Sequence, residues 1–372
     1  VFGPQGLLTP ALLLILYAGL MYVVVRRGPN VLRALAATAG LLPATLVGVV
    51  VVNDYYEYYT SWDELWYDLS DQNPSGVTNV PDVGPNNPGS LAATLTATAA
   101  KQHASRKGMV INIAVPGPSS GIHRNALVFL PPEYFRHAYA TYRFPVVEML
   151  HGSPGRPSAW VTGIGAPSAA VRLVGEHRAR PAVLVMPDAD GGTDSGLQCL
   201  DAVHGPKDET YLVDDVPRFV ASRLRVQPPG PHWGLVGYSE GGYCAANLAL
   251  RHPREFGAAG VISGYFVPLM NHTPAGRFDP FLGDRALRDA NTPLLELRRL
   301  PPTAPLPRFW LAVGGASRAD VAQARALRGL LLPRQPDVPL MIVKGEAHTR
   351  PVWRDGFPAF FSWATERIAP PR

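Results

Sequence analysis

Hydrophobic patterning divides the chain into two regimes. Residues 7–25 (LLTPALLLILYAGLMYVVV) and 35–52 (LAATAGLLPATLVGVVVV) carry no charged side chain. Each is long enough to cross a hydrocarbon core of about 30 Å at about 1.5 Å per residue. Gly40 and Pro43 suit a membrane helix better than a soluble one. The expectation is a two-span transmembrane anchor over 1–52, with a buried helical hairpin as the alternative. Residues 53–69 (NDYYEYYTSWDELWYDL) are dense in Tyr and Trp, as an interfacial collar would be, or the first amphipathic helix of the following domain. Residues 72–100 are rich in Pro, Gly, Asn and Thr and read as a tether or an extended wrap, so that 53–100 forms a connecting segment.

The second regime begins at Met109. MVINIAVPG and NALVFLPPEYF read as strands closed by Pro116-Gly117 and Pro131-Pro132. The continuous apolar runs FPVVEML, PAVLVMP, HWGLVGY and FGAAGVIS follow, a pattern that fits strands buried on both faces of a parallel sheet. Helical segments alternate with them at SAAVRLVGEHR, VDDVPRFVASRL and GYCAANLALRH. Two further strand–helix units, RFWLAVG with ADVAQARALRGLLL and PLMIVKG with PAFFSWATERI, complete a doubly wound, mostly parallel α/β domain over 101–372. Residues 268–307, between two core strands, stand where a cap over a site can form.

Composition sharpens this picture in three ways. Of 372 residues 47% are hydrophobic and only 17% charged, below the roughly 25% of average soluble chains, consistent with an apolar N-terminal part. The net charge of +5 comes from scattered arginines rather than a basic stripe interleaved with aromatics, which argues against nucleic-acid binding. Arg26, Arg27 and Arg33 lie between the two expected spans, and the positive-inside rule then puts the domain at 101–372 on the extracytoplasmic side of the cell membrane, in contact with membrane lipids. The two cysteines, Cys199 and Cys244, have no zinc-ligand spacing, so neither a metal nor another cofactor is expected. In an oxidising compartment a Cys199–Cys244 disulfide is expected, against the alternative of two separately buried thiols.

Gly237-Tyr238-Ser239-Glu240-Gly241 is a G-x-S-x-G directly after an apolar strand and directly before a helix. A serine on so sharp a turn projects its hydroxyl beyond the strand end, and the flanking glycines let the backbone pass. Serine needs a neighbouring base to become a nucleophile. His348, in KGEAHTR after the last strand, is the candidate base; His252 closes the nucleophile helix and His272 lies in an irregular segment. In α/β-hydrolases the order is Ser, acid, His. Asp320, in GASRAD after RFWLAVGG, is the candidate acid, with a helix N-cap as its other reading and Glu346 as the alternative carboxylate. The oxyanion donors are expected to be the amide of Glu240, at the start of the nucleophile helix, and that of Ser153 in the loop His151-Gly152-Ser153-Pro154-Gly155, since Pro154 has no N–H. A plain Gly-rich turn is the other reading of that loop.

HGSPG, GYSEGG and GEAHTRPVW resemble the esterase-D and mycolyltransferase branch of the α/β-hydrolases over roughly residues 109–369. The resemblance implies acyl transfer through an acyl-serine, with Ser239, His348 and Asp320 as triad and Ser153 and Glu240 as oxyanion donors. The mycolyltransferases differ in having an aspartate where this chain has His151, and a glutamate as triad acid. The expected activity is therefore hydrolysis of a small-molecule or lipid carboxylic ester. Transfer of the acyl group to a sugar or lipid hydroxyl and a catalytically silent tethered scaffold are the alternatives.

Overall fold

The computed structural model describes residues 8–27, 76–80, 103–191, 198–269, 271–273 and 276–370, together with 31, 45, 47–51, 53, 66, 95 and 97–99. It divides into two compact units, Val1–Pro74 with Thr349–Pro351, and Ser75–His348 with Val352–Arg372.

In the first unit, helix α1 (Leu8–Arg27) stands where the first span is expected. Yet among the described residues no helix is long and apolar enough to cross a membrane. Thr9 and Pro10 occupy the first turn of α1, Tyr17, Gly19 and Tyr22 break its apolar runs, and Arg26 and Arg27 close it. The second expected span is described only at 45 and 47–51, and the aromatic stretch 53–69 only at 53 and 66. The fold class is corrected accordingly: the expectation of two transmembrane helices ahead of the α/β domain is not met among the described residues.

The second unit is built on one sheet. Its elements are β1 (Val77–Asn79), β2 (Met109–Pro116), β3 (His123–Leu130), β4 (Val146–Leu150), α2 (Ala166–Gly175), β5 (Val183–Pro187), α3 (Val216–Arg223), β6 (Gly230–Tyr238) and α4 (Glu240–Arg251). There follow β7 (Phe256–Ile262), the small hairpin β8 (Asn271–Thr273) and β9 (Gly276–Phe278), α5 (Arg285–Ala290), α6 (Pro293–Arg299), β10 (Arg308–Gly314), α7 (Arg318–Leu331), β11 (Leu340–Val343) and α8 (Arg350–Ile368). The nine-stranded order is β1-β2-β3-β5-β4-β6-β7-β10-β11. Among the described strands of this sheet, only β3 runs antiparallel to its neighbours.

The apolar runs read as strands buried on both faces are so: every residue of β4 and of β5 is buried. The two elements that hydropathy does not announce lie in irregular sequence. β1 falls inside the stretch expected as tether and pairs in parallel with β2, Val77 to Val110 through Asn79 to Asn112. The β8–β9 hairpin falls inside the insert at 268–307.

The connection from β4 goes to β5 on one side, while β6 lies on the other. That reversal makes a topological switch point at the carboxyl ends of β4 and β6, the place where open α/β sheets bind their ligands. The register pairs Leu150 with Gly237, so the loops after these two strands start side by side. Ten consecutive residues of α4, Gly241 to Leu250, are buried, which fixes the helix that follows β6 against the sheet.

Candidate active site

Ser239 joins β6 to α4 with φ 55 and ψ −119, a backbone conformation that a side chain with Cβ adopts at a cost of about 1–3 kcal/mol. The glycines on either side make the turn possible. A Cβ on Gly237 would run into the carbonyl oxygen of Gly241, and one on Gly241 into the carbonyls of Leu150 and His151. The turn is held by the Ser239 amide donating to the Ile262 carbonyl (2.9 Å), and by the Gly242 and Tyr243 amides donating back to the Ser239 carbonyl (3.0 and 3.2 Å).

The structure brings Ser239, His348 and Asp320 together. His348 Nδ1 lies 2.7 Å from Asp320 Oδ2 and His348 Nε2 lies 2.9 Å from Ser239 Oγ. A carboxylate can only accept, so Nδ1–H donates to Asp320 and Nε2 is left to accept the Ser239 hydroxyl proton. Asp320 is not the N-cap of α7. Ser317 is, accepting from the Asp320 amide at 3.3 Å, and Asp320 in the first turn is left to face the histidine. Glu346 contributes its backbone carbonyl, which accepts from the Ala316 amide (2.8 Å) and ties the loop after β10 to the loop carrying His348.

An aromatic stack that sequence reasoning left unassigned stands behind the imidazole. Trp353 of α8 meets the His348 ring edge-on with centroids 6.0 Å apart and stacks on Tyr238 at 4.3 Å, which in turn meets Trp160 at 5.0 Å. The signal was the Trp five residues after His348 on the final helix, within the quoted GEAHTRPVW.

The loop expected to supply the second oxyanion donor runs beside the serine: a Cβ on Gly152 would lie 3.1 Å from that of Ser239. His151, 3% exposed, anchors this loop. Its Nε2 lies 3.1 Å from the Ala189 amide nitrogen and its Nδ1 2.9 Å from the Gly152 carbonyl. An amide N–H only donates, so in this geometry Nε2 accepts and Nδ1–H donates to Gly152. Burial opposes a charge on this ring, but Asp188 and Asp190 outweigh it and raise its pKa above the ordinary 6.5. His151, Asp188 and Asp190 bring ligand-type atoms within 4.8 Å of one another. With both ring nitrogens engaged by backbone groups, however, the histidine has no lone pair to give a metal ion. Ser153 is half-buried in the same loop, and Glu240 opens α4 at the positive end of the helix dipole.

Cys199 and Cys244 form a disulfide, with Cα atoms 5.7 Å apart across 45 residues of chain. It fixes the loop after β5 to α4 five residues beyond Ser239. The arrangement as a whole can activate a hydroxyl for attack on a carbonyl and hold the resulting negative charge at a helix N-terminus.

Comparison with known proteins bears on the family and the fold. The family model for putative esterases matches residues 118–359. An uncharacterised protein of Corynebacterium glutamicum is 27% identical over 147 residues, and the MPT51 antigen of Mycobacterium leprae is 40% identical over 60. These alignments cover 40% and 16% of this chain, and 34% and 19% of the relatives' own lengths. Among solved structures, a ferulic acid esterase superposes with a TM-score of 0.60 at 17% identity, over 71% of this chain and 99% of that one. An S-formylglutathione hydrolase of Agrobacterium tumefaciens gives 0.55 at 18%, over 71% and 97%. A fluorophosphonate-binding serine hydrolase of Staphylococcus aureus gives 0.55 at 18%, over 69% and 98%. At these identities the superpositions speak to the fold, and the match to the family model over most of the α/β unit speaks to kinship. The chain belongs to the putative esterase family and has an α/β-hydrolase fold.

Proposed function

We propose that the protein cleaves carboxylic esters through an acyl-serine intermediate on Ser239. The observation that carries this reading is the continuous pair of hydrogen bonds from Ser239 through His348 to Asp320, hung on a strained elbow. Ser239 Oγ attacks the ester carbonyl carbon while its proton passes to His348 Nε2, and Asp320 holds the ring and stabilises the imidazolium. The carbonyl oxygen, now negative, lies between the amides of Glu240 and Ser153. The tetrahedral species collapses, the C–O bond to the alcohol breaks, and His348 returns the proton to the departing oxygen. Water then attacks the acyl-serine by the same route in reverse, releasing the acid and restoring the hydroxyl.

The Cys199–Cys244 bond supports a working place outside the cytoplasm, because such bonds persist where the surroundings are oxidising. The experiment is labelling with a fluorophosphonate probe, a class bound by the Staphylococcus aureus hydrolase of similar fold. Wild type should be labelled and turn over simple esters; Ser239→Ala should lose the label and at least ~10³-fold in kcat. Unchanged turnover in that variant would overturn the reading. Adding an alcohol acceptor to the same assay distinguishes hydrolysis from acyl transfer by its products.

A further inference from the structure

β7 ends at Ile262, whose carbonyl accepts the Ser239 amide, and the chain that leaves it therefore starts beside the serine. Tyr265 stacks on Tyr243 of α4 with centroids 5.0 Å apart and planes within 7° of parallel. Beyond it burial alternates. Phe266 is 1% exposed and Pro268 is buried, while Val267 is 40% and Leu269 47% exposed. The chain bends at Phe266 and Val267, and the two side chains it leaves exposed, Val267 and Leu269, are both apolar.

A single exposed apolar residue calls for no account. These two belong to a segment that the fold goes to some length to immobilise. Gln198, 0% exposed, accepts at Oε1 from the Tyr265 hydroxyl (3.0 Å) and the Leu269 amide (2.7 Å), and donates from Nε2 to the Leu269 carbonyl (2.7 Å). It stands next to Cys199, which is bonded to α4, so the clamp itself is fixed to the nucleophile helix. A buried amide that makes all these contacts ties the backbone of Leu269 to the Gln198 side chain.

We propose that Val267 and Leu269 form the wall that receives an apolar group of the ester, and that Gln198 is the positioning residue that keeps this wall beside Ser239. The proposal rests on the reading of Ser239 as nucleophile. The ligand class is an ester carrying an aliphatic chain or aromatic ring on its acyl or its alcohol side. Each methylene laid against such a wall raises kcat/KM by up to about fourfold.

The test uses the full chain and two ester series. One is p-nitrophenyl esters from acetate to octanoate; the other is acetate esters of methyl to octyl alcohols. Wild type should prefer the longer member of at least one series. V267S/L269S should lower the ratio of long-chain to short-chain kcat/KM about tenfold, mainly through KM on the long ester. Gln198→Leu should lower the same ratio by the same route, whereas a residue of merely structural importance would depress kcat on all esters alike. Leu282→Ser, at a residue 64% exposed and outside the wall, serves as the control and should leave the ratio unchanged. A fall confined to the acyl series assigns the wall to the acyl group, and one confined to the alcohol series assigns it to the alcohol. If turnover depends on Ser239 but the variants leave both ratios as in wild type, the wall is overturned and the nucleophile stands. If no ester is turned over in a Ser239-dependent way, both fall.

Discussion

Glu148 has no place in the chemistry above, and its cost is correspondingly easy to read. It lies in the middle of β4, paired in register with Val185 and Leu235, fully buried, and among the described residues neither of its carboxyl oxygens has a hydrogen-bond partner. Burial pushes its pKa well above the usual 4.5, so folding favours the protonated form. The unfolded chain ionises at lower pH than the folded one, and the wild type therefore loses stability as pH rises above 4.5. Glu148→Met keeps the length of the side chain and removes the unsatisfied polar atoms. It should stabilise by about 1–3 kcal/mol in urea unfolding at pH 8, with a smaller gain at pH 4.5. A destabilised variant would show that the carboxyl has a partner it needs. At the site itself, Ser239 and His348 act as one unit, so S239A/H348A should be no slower than Ser239→Ala alone. A further large drop in kcat in the double variant would show that His348 assists catalysis by a route separate from the serine.

At the scale of elements, the disulfide joins α4 to the loop after β5, two segments that the sheet already brings to the same edge. Its removal in C199A/C244A should cost up to about 4 kcal/mol in the chain-entropy account for a loop of this length, read as a lower urea midpoint. Equal midpoints in oxidised and reduced protein would deny the bond any role in stability. The expected bond was accessible to sequence reasoning because it needed only two cysteines and the order of two strands. The elbow was legible for a similar reason: Gly237, Ser239 and Gly241 sit between a run of apolar residues and a helix, all within a dozen positions. His348 and Asp320 followed from their places after successive strands. What could not be read depends on contacts distant in sequence. Gln198 gives no hint of its function until Leu269, 71 residues on, is folded onto it. The three residues of β1 have no strand signature in a stretch of Pro, Gly and Asn, and become a strand only because β2 offers its backbone 33 residues later. At the N-terminus the expectation rested on the length and lack of charge of runs such as 7–25, whereas among the described residues no helix is long and apolar enough to cross a membrane.

For the molecule as a whole, carboxyl groups perturbed in opposite directions set the pH of greatest stability. Burial raises Glu148, Asp208 to about 6 despite its contact with Arg124, and Glu296 to about 7. Stability from these groups is complete below their unfolded pKa values and is lost as pH rises through the folded ones. Asp188 and Glu209 are shifted the other way: His151 lowers Asp188, and His252 with Arg251 lowers Glu209, both against the opposing effect of burial. Their stability is present above the unfolded pKa values and is lost as pH falls. Thermal unfolding should therefore be highest near pH 5 and decline toward pH 8, and Glu296→Gln should flatten the decline. A maximum at pH 8 would refute this balance of shifts. One further consequence belongs to β1. By hydrogen-bonding along β2, with the Val80 amide continuing onto the Asn112 carbonyl, it covers a row of backbone donors and acceptors that would otherwise face outward. A chain shortened to begin at residue 101 would leave that row as a template for the strands of other molecules. It should scatter light at concentrations where a chain beginning at Ser75 stays clear, so the stretch that reads as a tether guards the sheet against self-association.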